Sequence, residues 1–285
     1  MATATLQSGA VREARLQDAL VQTFADELEQ TVVLLNARIR RLLRQLDSED
    51  GRVKTTARNL GRAVAMRESL LGALEDAGYT GLLRTAVDEP LDRLAAEVLK
   101  TNRLAGVAAS TDTFAVESLA AFKDLRLAQL LDLADDTASA VWRSVLDGVT
   151  GARPVDDLLD DVADVLDASL SSARRVYDTA VSTYAQQVAL GHTSGAPDEV
   201  FVYVGPVDSV ARKFCVDRVG KAYTRADIDE MDNGQLPNTL MTRGGYNCRH
   251  LWRRVSVLDQ DVLDLEGTDQ RLPEVEAQLA ELEAA

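Results

Sequence analysis

The sequence predicts a mainly α-helical protein, in which a body of long helices is followed by a small α+β module near the C-terminus. Three observations predict it. Apolar residues recur at three- and four-residue steps through most of the first 190 positions. Aromatic residues make up only 5% of a chain that is 46% apolar, so the core must rest on Leu, Val and Ala, a mix that favours helices. After Gly191–Pro197 the period changes, and Val200–Val204 is a β-branched and aromatic run of strand type.

The first helix is expected over residues 10–47, where Leu16, Leu20, Phe24, Leu28, Val32, Leu35, Ile39, Leu42 and Leu46 form one seam. That seam suits an intramolecular bundle, and it also fits a coiled coil with a partner. Asp47–Gly51 ends the helix. A second, over 52–77, carries Val53, Leu60, Val64, Leu71 and Leu74 and stops at Gly78. Pro90 suits the first turn of a third helix over 89–105. Thr111 and Asp112 are placed to cap a fourth, with Leu119, Phe122, Leu125, Leu130, Leu133 and Trp142. Gly148–Pro154 breaks the pattern, and Pro154 opens a fifth helix that runs to Leu190. Gly191–Pro197, with His192 in it, reads as the linker; His192 is expected to be solvated and to favour the preceding helix end. These features divide the chain into a helical body (1–195), a compact module (199–257) and an acidic C-terminal helix or tail (258–285).

Within the module, strand 200–204 is followed by a turn at Gly205-Pro206. Asp208 or Ser209 is expected to cap a short helix that carries Cys215 and closes at Gly220. Lys221–Tyr223 reads as a short strand. Thr224-Arg225-Ala226-Asp227 resembles a capping box and opens a helical turn to Met231. Asp232-Asn233-Gly234 is a turn signal. A polar loop leads to Gly244-Gly245, and residues 249–257 read as the closing strand. No strand–glycine–helix context surrounds Gly244-Gly245, so the pair reads as a tight turn and not as a phosphate loop.

The formal charge of the 285 residues is −15. Residues 201–254 carry nine Lys or Arg against six acids, a net +3 that leaves −18 elsewhere. The acidic body repels nucleic acid, whereas the mildly basic module is compatible with an anionic neighbour. Two cysteines do not make a disulfide scaffold. No apolar run reaches membrane-span length, and the N-terminus shows no basic-then-apolar secretory pattern, so synthesis in a cytoplasm is expected.

Both cysteines and one of the two histidines fall in the module. Cys215, Cys248 and His250 are candidate metal ligands of the type zinc prefers, provided the Cys215 helix packs beside the closing strand. On a strand, Cys248 and His250 share one face and Arg249 takes the other. A fourth ligand would come from Asp208, Asp217 or water. A Cys215–Cys248 disulfide and a pair of packed free thiols are the alternatives. A nucleophilic cysteine needs an imidazole and an orienting group. The flanking sequence marks neither an oxyanion hole nor a pocket, so no catalytic residue is assigned. Asp208 and Arg212, four apart, form a surface pair on the expected helix. Arg249 is suited to hold Asp208 through a bidentate bond. Arg243, Arg253 and Arg254 are expected to be exposed, and are the candidates for contact with DNA or a partner.

The order Asp208-x-x-x-Arg212-x-x-Cys215, Gly220 before a short strand, and the closing Asn247-Cys248-Arg249 resembles the C-terminal module of phage Mu F-like minor head proteins. Ala173–Gly191 also resembles the helix that precedes that module, without the Glu that often follows its Thr. Many members carry a second Cys in the first element and a His-Pro before Asn-Cys-Arg-Cys. This chain has Gly245-Tyr246 there and His250 in place of the last Cys. The resemblance implies structural roles for the seven motif residues. It also implies a non-enzymatic minor capsid protein of a tailed-phage virion, present in few copies at the portal vertex and acting in head assembly or DNA delivery. Its partners would be portal, capsid or scaffold proteins, and possibly packaged DNA. No cofactor is expected; zinc on Cys215, Cys248 and His250 is the alternative that the residues themselves leave open, and the departure from the family pattern counts against it. Rival expectations are a zinc-stabilised nucleic-acid-binding module and a toxin-like or DNA-handling enzyme.

Overall fold

A computed structural model of the chain describes residues 2–105, 113–191, 196–255 and 260–284. The Thr111-Asp112 cap, His192 with the rest of linker 192–195, and the end of the expected closing strand at 256–257 lie outside these. The protein is mainly helical, with long N-terminal helices followed by a small α+β region. The helical part comprises α1 (Ala2–Leu43), the hairpin β1 (Ser48–Glu49) and β2 (Arg52–Val53), α2 (Ala57–Asp76), α3 (Tyr79–Leu104), α4 (Thr113–Thr150) and α5 (Val155–Leu190). Next come β3 (Val200–Val204), α6 (Lys213–Arg218), β4 (Ala222–Thr224), α7 (Arg225–Glu230), α8 (Thr239–Thr242), β5 (Leu251–Arg254), α9 (Gln260–Leu263) and α10 (Pro273–Ala284).

Three helix starts differ from expectation, the first being α1, which spans Ala2–Leu43 and not 10–47. The second helix begins at Ala57 and not at 52, because Asp50 and Gly51 both have positive φ (49° and 75°) and turn the chain into the β1–β2 hairpin. Thr56 then caps α2 by accepting from the Asn59 amide. The third helix begins at Tyr79, directly after Gly78 (φ 81°), so Pro90 lies inside it and not in its first turn. A proline there cannot donate to the carbonyl four residues back. That carbonyl, of Ala86, accepts from the Tyr177 hydroxyl at 2.9 Å instead.

The chain folds as two compact units. One comprises Val21–Asp88 and Asp124–Tyr177, the other Met1–Leu20, Glu89–Lys123 and Asp178–Ala285. In the first, the expected seam is buried within the chain: Phe24, Leu28, Leu35 and Ile39 of α1 lie in a core with Leu70 and Leu74 of α2, Val141 and Val145 of α4, and Val162 and Leu166 of α5. Asn59, fully buried, ties the hairpin down by donating to the Asp47 and Lys54 carbonyls and accepting from the Asp47 amide.

The second unit contains an antiparallel sheet of order β4-β3-β5. Tyr203 lies opposite Trp252, and Val202 lies between Ala222 and Arg253. The chain therefore does not divide at the expected 195/199 boundary. Most residues of β3 and β5 are buried on both faces, so the sheet needs cover that the module alone does not supply. Leu6 and Ala10 of α1, Ala105 and Leu190 join its core. Residues 260–284 join it as well, through Val262, Leu265, Leu272 and Val275, and so are not a separate tail. No helix among the described residues is long and apolar enough to cross a membrane.

Candidate functional site

The site is built on Tyr203, next to the C-terminal end of β3 and fully buried. Its ring stacks on His250 (centroids 5.2 Å apart, 12° between planes) and tilts against Trp252 at 4.3 Å. Helix α6 starts two residues before Cys215, which lies in its first turn, and is closed by Gly220, whose φ of 82° suits glycine. A Cβ at Gly220 would stand 2.9 Å from Val275. Helix α6 is further held by Arg271, which donates to the carbonyls of Val216, Asp217 and Val219.

Cys215, Cys248 and His250, all buried, present ligand atoms within 4.8 Å of one another. The two sulfurs are 3.7 Å apart, and both cysteines are free thiols. The Tyr203 hydroxyl lies 3.5 Å from the Cys215 sulfur and 3.4 Å from that of Cys248. His250 Nδ1 is 4.0 Å from the Cys248 sulfur. Gly244 brings its amide to 3.3 Å from that sulfur, which accepts the N–H. A Cβ at Gly244 would collide with the Cys215 sulfur. Gly244 therefore makes room for the sulfurs, while Gly245 (φ 93°) makes the expected turn.

The two thiols differ electrostatically. The Cys248 contact, together with burial, pushes Cys215 far above the usual thiol range. Burial also opposes an anion at Cys248, but the Cys215 hydrogen bond, His250 and Arg243 outweigh it and hold Cys248 well below that range. The arrangement suits one shared proton, with Cys215 as donor and Cys248 as acceptor.

The remaining motif residues clasp this cluster. Arg212 caps nothing with its side chain; it donates to the carbonyls of Gly244 (2.8 Å) and Tyr246 (2.5 Å), tying α6 to the Gly244 turn. The expected Asp208–Arg212 pair is therefore absent, because α6 begins only at Lys213 and the two residues do not share a helical face. Arg249 does hold Asp208, with Nη2 at 2.8 Å from both carboxylate oxygens, and its Nη1 reaches Asp18 of α1 at 3.4 Å. Asn247 takes the left-handed conformation (φ 55°) that Asn tolerates.

The expected exposed basic cluster does not exist. Arg243 and Arg253 are 1% and 0% exposed. Arg243 donates to the carbonyl and hydroxyl of Ser182. Arg253 pairs with Glu13 and also donates to Asn102 and to the Val98 carbonyl. Arg254 is half-buried and bridges to Glu199 at 3.4 Å. Acceptors on α1, α3 and α5, from positions far away in the chain, make the burial of Arg243 and Arg253 possible. The expected fourth ligands are not in the cluster either. Asp208 is engaged by Arg249, and Asp217 by Lys213 at 2.8 Å. Tyr203 escaped the sequence reading, its only signal being a polar-tipped aromatic within an otherwise apolar strand.

Truncating either thiol to alanine is expected to cost about 1–2 kcal/mol of lost burial. Cys248→Ala should cost more than Cys215→Ala, because it also leaves the buried Gly244 amide without its acceptor. Urea unfolding of the two variants checks the order. Comparisons with protein-family models, with curated proteins and with solved structures find no match to this chain.

Proposed function

We propose that this chain is a structural minor component of a tailed-phage head, associated with the portal vertex and acting in head assembly or DNA delivery. The observation that carries the reading is the convergence of the motif residues on one clasp around the buried thiols: Asp208 with Arg249, Arg212 with the Gly244 turn, and Cys215 with Cys248. The resemblance rests on those residues, and each has work to do in holding the fold. The cysteines are 2% and 3% exposed, which suits packing and not attack on a substrate. Burial of Arg243 and Arg253 removes two of the three arginines that a nucleic-acid-binding module would have used.

The test is to purify virions from an induced lysate through a density gradient and quantify this chain by mass spectrometry. The expected result is a few copies per particle, retained after washing in high salt, and defective heads when the reading frame is deleted. Wild-type titres and normal heads without the chain, together with its absence from particles, would overturn the reading.

A further inference from the structure

We infer that Cys215, Cys248, His250 and the Tyr203 hydroxyl form a tetrahedral zinc site. This goes beyond the head-protein reading and does not rest on it. The donor set is of the thiolate and imidazole type that zinc prefers, with an oxygen to complete it. The distances fit before any ion is added. Zinc–sulfur bonds of about 2.3 Å at tetrahedral angles place two sulfurs roughly 3.7–3.8 Å apart. The sulfurs here are 3.7 Å apart. An oxygen ligand at about 2.0 Å would stand roughly 3.5 Å from each sulfur. Tyr203 Oη stands at 3.5 and 3.4 Å. An imidazole nitrogen belongs roughly 3.6 Å from a sulfur. His250 Nδ1 is 4.0 Å from the Cys248 sulfur, and the three ligand atoms lie within 4.8 Å of one another, so the imidazole has to move inward to meet the ion.

A further observation points to a missing cation. His250 is 2% exposed, its Nε2 has no hydrogen-bond partner among the described residues, and its Nδ1 has only the long sulfur contact. A buried imidazole so poorly satisfied is unusual, and ligation through Nδ1 would give it a strong partner.

The experiment titrates the full chain, purified reduced and free of metal, first with cobalt(II) chloride and then with zinc chloride. About one equivalent of cobalt should develop thiolate-to-cobalt charge-transfer absorption and the intense visible bands of a tetrahedral ion, and zinc should bleach both. Cys248→Ser should weaken cobalt binding and lower the charge-transfer intensity to that of the one remaining thiolate, Cys215. Tyr203→Phe should still bind cobalt, roughly 10–100-fold more weakly and with shifted visible bands. The wild-type titration does not depend on whether the variants fold; circular dichroism checks those separately. No thiolate–cobalt band in folded wild-type protein, or a band of undiminished intensity in folded Cys248→Ser, would overturn the site. Unchanged affinity and bands in Tyr203→Phe would overturn the four-donor assignment.

Discussion

Arg253→Met is expected to destabilise the sheet-bearing unit by about 3–5 kcal/mol, because it leaves Glu13 charged and alone in the interior. Both side chains of this pair have no exposed surface. Glu13 lies on α1 and Arg253 on β5, 240 positions apart, so the pair joins the N-terminal helix to the sheet. Burial already raises the Glu13 carboxyl above its usual range, with Arg253 opposing the shift. Removing the guanidinium takes away that opposing charge and also strands the Asn102 side-chain oxygen that it donates to. The double variant Glu13→Leu, Arg253→Met should recover most of the loss, since apolar groups of similar size often replace a buried ion pair at little or no cost. The chain has two tryptophans, Trp142 in one unit and Trp252 in the other. In a Trp142→Phe background, urea unfolding followed by fluorescence therefore reports the sheet-bearing unit alone. A single variant within about 1 kcal/mol of its parent would show that the pair is not the tie described here.

The helices were legible because helical burial writes a local period. The α1 seam from Leu20 to Leu46 is buried nearly as the spacing predicts, and Gly78 ends α2 as expected. The start of α3 was misplaced because Pro90 is a strong local signal that a distant hydroxyl, that of Tyr177, overrides. In the module, Gly220, the Thr224–Asp227 capping box and the Asp208–Arg249 contact were readable, since each follows from neighbouring residues or a motif. Burial of Arg253 was not, because its acceptor Glu13 sits in a helix more than two hundred residues earlier and looks like any surface acid. The same holds for Tyr203. A strand residue shows its alternation but not which loop will bring sulfurs to its hydroxyl. Long-range partners of polar residues leave no periodic trace, and the candidate site is made almost entirely of such partners.

Gln186→Leu is expected to cost about 2–5 kcal/mol, the combined penalty for leaving a buried backbone N–H and C=O without partners. The strand order β4-β3-β5 leaves β5 with one unpaired edge. On that edge the Trp252 amide donates to Gln186 Oε1 at 2.9 Å, and the Trp252 carbonyl accepts from Gln186 Nε2 at 3.2 Å. The carboxamide thus imitates a neighbouring strand and closes the edge from α5, with both residues wholly buried. Leucine fills nearly the same volume, so packing is kept while both hydrogen bonds are lost. Glutamate should be worse than leucine, because it accepts from the amide but cannot donate to the carbonyl and it buries a charge. The readouts are urea unfolding through Trp252 in the Trp142→Phe background and hydrogen exchange at the Trp252 amide, which should speed up in step with the lost stability. If Gln186→Leu is as stable as its parent and the amide stays protected, β5 is closed by something other than this side chain.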